Sequence, residues 1–90
     1  MSGQPPKLEI VRLPQPDCRG ELREWYQIGK MFRGRVYGDS QKWYHDGEFL
    51  YTAYVKRIEE KDDHYIVYTI SSRWVLYKNT ADLKKGTINV

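Results

Sequence analysis

The sequence predicts an all-β protein, a small antiparallel SH3-like barrel with a flexible, proline-marked N-terminal arm and one short C-terminal helical turn. Three observations carry this. Aromatic and β-branched residues come in short runs, with glycines between them at positions 29, 34, 38 and 47, which is the punctuation of strands and tight turns. The four prolines, Pro5, Pro6, Pro14 and Pro16, all stand at the start of the chain, where none interrupts a strand ladder. Five or six strands in about 65 residues leave no room for crossover helices, which suits a small barrel better than a sandwich. Residues 1–21 read as the arm, 22–79 as the barrel and 80–90 as a C-terminal turn and tail.

Within the arm, residues 7–13 form a short edge strand in this reading, because Leu8 and Ile10 share a face and prolines bound the segment. Residues 1–7 are expected to be dispensable. A first run spans residues 24–28, and a second spans 30–37, interrupted by Gly34, where a missing side chain marks a bulge or bend. Residues 38–40 end it. Asp46-Gly47 is the pair favoured in two-residue hairpin turns. The segments 49–58 and 64–70 then flank Glu59-Glu60-Lys61-Asp62-Asp63, a solvated charged turn, and Ser71-Ser72-Arg73 leads into 74–77. Tyrosines 51, 54, 65, 68 and 77 occupy both faces of their strands. Residues 80–85 offer one helical turn, with Thr80 as N-cap and Gly86 just past its end. Trp25 and Trp74 are expected in the core, and Trp43 on the surface.

Ninety residues, 40% hydrophobic and 30% charged, describe one globular core rather than a disordered chain. The single cysteine, Cys18, has no internal disulfide partner, so a reducing, cytoplasmic setting is expected. No run approaches the roughly 18 apolar residues of a membrane helix, and neither export nor membrane insertion is expected. Fifteen Lys and Arg against twelve Asp and Glu make the chain mildly basic.

Chemistry-bearing patterns are sparse. Zinc needs about four ligands, and Cys18, His45 and His64 are scattered singly, so no metal and no cofactor is expected. His45 reads as a polar turn residue and His64 as a strand-entry residue. Cys18 beside Arg19 has a cation to lower its thiol pKa, yet an arm cannot hold a catalytic geometry. The paired acids 59–60 and 62–63 lack calcium-loop spacing, and no glycine-rich phosphate cradle is present. The expectation is a protein that is not an enzyme.

The strongest functional signal lies in residues 30–44. Lys30, Arg33, Arg35 and Lys42 interleave with Phe32, Tyr37, Trp43 and Tyr44, and only Asp39 opposes them. On a strand, Arg33 and Arg35 point one way while Phe32 and Val36 point the other. Lys30, Arg33, Arg35, Tyr37, Lys42, Trp43 and Tyr44 are therefore the candidate partner-binding residues. Three readings stay open: an acidic protein surface, single-stranded nucleic acid stacked on the aromatics, or an ordinary solvated strand face.

From Trp25 to Asn79 the order Gly34-Arg35-Val36-Tyr37-Gly38, His45-Asp46-Gly47, Leu50-Tyr51-Thr52-Ala53-Tyr54-Val55, Val67-Tyr68-Thr69 and Trp74-Val75-Leu76 resembles small β-barrel proteins of phages and prophages, with Ala53 where Ser is expected. This resemblance implies an accessory protein that binds and blocks a host macromolecule, in the manner of anti-defence and anti-CRISPR proteins. The expected partner is a host protein or complex with an acidic surface, met in the cytoplasm of a bacterial cell. The alternatives are a nucleic-acid-binding barrel and a sponge that cages a nucleotide signal between protomers. Neither the target nor an oligomeric state is written in the sequence.

Overall fold

The computed structural model describes residues 18–88, so the expected edge strand at 7–13 and the dispensable residues 1–7 lie outside the described residues. Six strands form one sheet: β1 (Gly20–Ile28), β2 (Met31–Tyr37), β3 (Phe49–Tyr51), β4 (Val55–Glu60), β5 (His64–Thr69) and β6 (Arg73–Tyr77), followed by a 3₁₀ turn at Lys78–Thr80. Their order across the sheet is β3-β2-β1-β6-β5-β4. The all-β expectation holds, with two corrections. The sheet is mixed rather than antiparallel, because β1 and β6 pair in parallel through Gly20↔Trp74, Glu21↔Val75 and Leu22↔Leu76. The run at 49–58 is also two strands, broken at residues 52–54, and these lie at opposite ends of the strand order.

That break determines the shape. Strands in a ladder lie about 4.8 Å apart, so a flat six-stranded sheet would separate its edges by about 24 Å. Three linking residues cannot span that distance, since consecutive Cα atoms are about 3.8 Å apart. The sheet therefore curls. Around the link, the Thr52 N–H donates to the Phe32 carbonyl and the Val55 N–H to the Lys30 carbonyl, both at 2.8 Å. The Thr52 hydroxyl accepts from the Phe32 N–H at 2.9 Å. No strand pairing joins β3 to β4, so the ladder itself is open at both ends.

Inside the curl lie Leu22, Trp25, Phe32, Val36, Leu50, Val67, Trp74 and Leu76. Leu22 and Trp25 should face opposite sides of a regular strand, and both face inward because the register shifts between Arg23 and Tyr26, with Glu24 at φ 53°. The expected bulge is thus real but sits on β1, opposite Gly34 rather than at it. Gly34 keeps regular pairing for a different reason. A Cβ there would stand 3.1 Å from the Arg23 carbonyl oxygen and 3.2 Å from the Trp25 Cβ, so the absence of a side chain lets β1 and its tryptophan lie against β2. Trp25 meets Phe32 and Tyr65 edge-on at 5.9 and 5.8 Å. Its indole N–H donates to the Tyr77 carbonyl at 2.9 Å, tying β1 to the end of β6.

A smaller cluster of Cys18, Val75 and Tyr77, with Ile66 against it, holds the opposite face of β5 and β6. Cys18 is therefore packed as a small hydrophobe, not carried on an arm, and the folded unit starts at least four residues before residue 22. The C-terminal expectation shifts as well. Thr80 ends the 3₁₀ turn instead of capping a helix, and its hydroxyl donates to the Tyr77 carbonyl at 2.9 Å. Residues 80–85 form no α-helix. Asp82 takes over the local hydrogen bonding, its carboxylate accepting the Lys84 and Lys85 N–H groups at 2.9 and 2.8 Å.

Candidate functional site

Strand β2 alternates as expected: Phe32, Gly34 and Val36 are buried, while Arg33, Arg35 and Tyr37 share the outer face. Register then supplies neighbours that lie far off in sequence. Arg33 faces Tyr51 and Arg35 faces Phe49 on β3, and Arg23 of β1 faces Arg35 on the other side. Both the Arg33 and the Arg35 guanidinium carbons stand 4.1 Å from the centroid of the Phe49 ring, and Arg33 is 5.5 Å from that of Tyr51. Arg23 lies over Tyr37 at 4.1 Å. The result is a layer of guanidiniums and aromatic rings across three strands.

The charge of this face is largely compensated. Arg23 pairs with Glu21 at 2.9 Å, and Arg35 pairs with Glu24 at 3.2 Å while donating to the Gly47 carbonyl at 2.7 Å. Among the described residues Arg33 has no carboxylate partner. Phe49 and Tyr51 remain 39% and 56% exposed, so the layer presents apolar area as well as donors.

The other predicted residues divide from this group. Trp43 and Tyr44 lie in the loop 38–48, organised by Asp39. The Asp39 carboxylate is buried and accepts from the Arg19 Nε at 2.9 Å and from the Trp43 and Tyr44 N–H groups at 3.0 and 3.1 Å. The Arg19 hydrogen bond, with the loop amides and against the cost of burial, holds its pKa down at about 2. Arg19 in turn stands over Trp43, Trp74 and Tyr44 at 4.9, 5.1 and 5.7 Å. Tyr44 is partly buried against the core, and Trp43 is 73% exposed. Asp46-Gly47 closes this long loop instead of making a two-residue hairpin. The Gly47 N–H donates to the Val36 carbonyl, and the Asp46 carboxylate accepts from the Gly38 N–H, both at 2.8 Å. Lys30 and Lys42 are exposed, Lys30 in the β1–β2 turn and Lys42 in the loop at φ 58°.

The structure thus brings together Arg33, Arg35 and Tyr37, and joins to them Arg23, Phe49 and Tyr51, which the sequence reading missed. Alternation in residues 49–51 marks Phe49 and Tyr51 as one face, but only the β2–β3 register places them over the arginines. Arg19 was legible only as a neighbour of Cys18. Among the described residues no group of three or more His, Cys, Asp or Glu is arranged to hold a metal ion, and no helix is long and apolar enough to cross a membrane. No protein-family model, curated protein or solved structure matches the chain.

Proposed function

We propose that the chain is a non-enzymatic binding protein that docks an acidic protein surface on the outer face of β1, β2 and β3. The observation that carries this is the stacking of Arg33 and Arg35 on one exposed phenylalanine beside Tyr51. Arg and aromatic side chains dominate protein interfaces, because a planar guanidinium offers forked donors to carboxylates while its stem and the ring beneath it bury apolar area. Glu21 and Glu24 within the layer speak against nucleic acid, whose affinity comes mainly from neutralising phosphates with unpaired cations. The resemblance to phage and prophage barrels supplies the setting: the partner is a host macromolecule, and docking blocks it.

The test is capture from a bacterial lysate by the wild type and by the double variant Arg33→Glu, Arg35→Glu, beside a gel shift with single-stranded oligonucleotide. The expected result is one saturable protein partner held by the wild type and lost by the folded variant, with no oligonucleotide shift at physiological salt. Equal capture by both proteins defeats the proposal, and so does an oligonucleotide shift that weakens steeply with salt.

A further inference from the structure

The ladder ends in two edges, β3 and β4, and the two differ in how they are guarded. Natural sheets keep a free edge from pairing with another chain by means of charged side chains, bulges and prolines. The β4 edge carries Lys56, Arg57, Glu59 and Glu60, and its register shifts between Val55 and Arg57. The β3 edge pairs without any shift, and Phe49-Leu50-Tyr51-Thr52-Ala53-Tyr54-Val55 holds no charge, no proline and no glycine. Such a segment, rich in aromatic and β-branched residues, is of the kind that pairs with another strand when its edge is free.

Register fixes which backbone groups this edge offers. The Val36 N–H donates to the Glu48 carbonyl and the Thr52 N–H to the Phe32 carbonyl, both at 2.8 Å, and Leu50 stands opposite Gly34 between them. Hydrogen-bonded and non-hydrogen-bonded positions alternate along an antiparallel pair, so residues 48, 50 and 52 turn their N–H and C=O groups to β2. Those of Phe49 and Tyr51 turn away from the sheet, and among the described residues they have no hydrogen-bond partner. The rings of the same two residues stand exposed on the outer face.

Arg33 sets the chemistry of the strand that fits there. Its guanidinium carbon stands 4.1 Å from the Phe49 ring centroid and 5.5 Å from that of Tyr51, so its charge lies over β3 rather than over its own strand. A strand added at the usual spacing of about 4.8 Å sets its outward side chains beside those rings, where an aspartate or glutamate meets the guanidinium fork. A second copy of the chain suits the edge less well, because pairing β3 with itself gathers two such cations at one seam. We propose that the docking face takes its partner as an extended acidic segment, added to β3 as a further strand of the sheet. Backbone bonds to Phe49 and Tyr51 supply affinity, and Arg33 selects acidic side chains on the outward face. The inference rests on the proposed docking face and gives the form in which its partner is presented.

Amide hydrogen exchange of the full chain, followed by NMR with and without the synthetic peptide acetyl-Val-Glu-Val-Glu-Val-Glu-Val-amide, tests this. In the free protein the Phe49 and Tyr51 amides should exchange rapidly, while those of Leu50 and Thr52 are protected. Saturating peptide should slow the first two by about tenfold or more. The counterpart with lysine at every glutamate should not bind. Tyr51→Pro removes an N–H that lies outside the ladder, a change an edge strand tolerates, and it should weaken the peptide more than Tyr51→Ala, which removes only the ring. Denaturant midpoints establish that both variants fold, and the wild-type exchange pattern decides the matter if the proline variant does not. Peptide that binds at Arg33 and the rings but leaves both amides exchanging as before overturns strand addition and leaves the docking face standing. No saturable binding, equal binding of the lysine peptide, equal affinity of the two folded Tyr51 variants, or a dimer whose Phe49 and Tyr51 amides are protected without peptide overturns it as well. Failure of the docking face reads differently, as equal lysate capture by the wild type and the Arg33→Glu, Arg35→Glu protein, and takes strand addition with it.

Discussion

The two halves of the sheet use the same chemical unit, two arginines on one ring, and set it in different surroundings. On β2 and β3 the ring is Phe49, Arg35 alone is tied to Glu24 and to the Gly47 carbonyl, and apolar area stays exposed. On β4, β5 and β6 the ring is Tyr68, its hydroxyl is anchored on Glu59, and the same Glu59 pairs with Arg57 at 3.2 Å. What surrounds the pair decides what it exposes: each has one arginine paired with a glutamate, but beside Phe49 the second arginine has no carboxylate partner among the described residues, whereas the Tyr68 hydroxyl and Arg57 are held by the same carboxylate of Glu59. Backbone strain separates the halves too. The two non-glycine residues at positive φ among those described, Glu24 and Lys42, both belong to the first half, while β4, β5 and β6 run without any. Residues held in such conformations cost about 1 kcal/mol or more each, and persist where the surroundings require them.

The largest effect should show that both halves hang on one join. Trp25 is 1% exposed, packs edge-on against Phe32 of one half and Tyr65 of the other, and donates to the Tyr77 carbonyl. Trp25→Ala should cost about 3–5 kcal/mol, a large part of a small domain's stability. Thermal melting followed at both Trp43 and Tyr68 should show the halves failing in a single transition. Two separate transitions would mean that the halves fold independently.

Next comes the Asp39 loop, which has no counterpart in the second half. Its folded pKa of about 2 lies below the ordinary 3.8, so the fold favours the ionised form. The resulting stability is complete above the ordinary pKa and is lost as pH falls through about 2. From that shift it amounts to about 2 kcal/mol. Asp39→Asn should therefore flatten the acid limb of the stability curve between those two values and expose Trp43 further, which its fluorescence reports. An unchanged acid limb would assign that limb to other carboxylates.

Charge reversal at Arg33 and Arg35 should cost less stability, about 1–2 kcal/mol for three cation–π contacts and one exposed ion pair, while abolishing partner capture. The matched change in the other half, Arg57→Glu with Arg73→Glu, should leave capture intact. Chemical denaturation and the capture assay separate these outcomes, and loss of capture in the second variant would dissolve the distinction between the halves.

How much of this was legible in the sequence depends on whether a feature is local. Period-two alternation in residues 31–37 identified Arg33, Arg35 and Tyr37 as one face and Phe32 and Val36 as core, because facing direction is set by the backbone alone. The burial of Trp25 and Trp74 and the exposure of Trp43 followed from hydrophobicity and flanking charge. Three things were not legible. The β1–β6 pairing joins segments about fifty residues apart with no turn between them to betray its direction. The bulge at Glu24 was assigned to Gly34, since a glycine signals either a bulge or a close approach, and only the partner strand says which. The Arg57–Tyr68–Arg73 row needs two registers at once, and one of its members sits in a segment that reads as a turn.

The smallest effect is the most discriminating for the loop. Lys42 is exposed at φ 58°, a conformation that glycine adopts without strain and a lysine does not. Its N–H donates to the Asp39 carbonyl at 3.0 Å, a backbone bond that any non-proline residue can make. Folding alone would therefore be served better by glycine. Part of the gain is offset, because glycine also loosens the unfolded chain, so Lys42→Gly should stabilise by about 0.5–1 kcal/mol. If the ammonium contributes to the docking face, partner capture should weaken in the same protein that melts higher. That opposite movement is the expected result, measured by denaturant midpoint and by capture at low and high salt, where the difference from wild type should shrink as screening removes the lysine's contribution. Higher stability with unchanged capture at low salt would remove Lys42 from the face and confine docking to Arg33, Arg35, Tyr37, Phe49 and Tyr51.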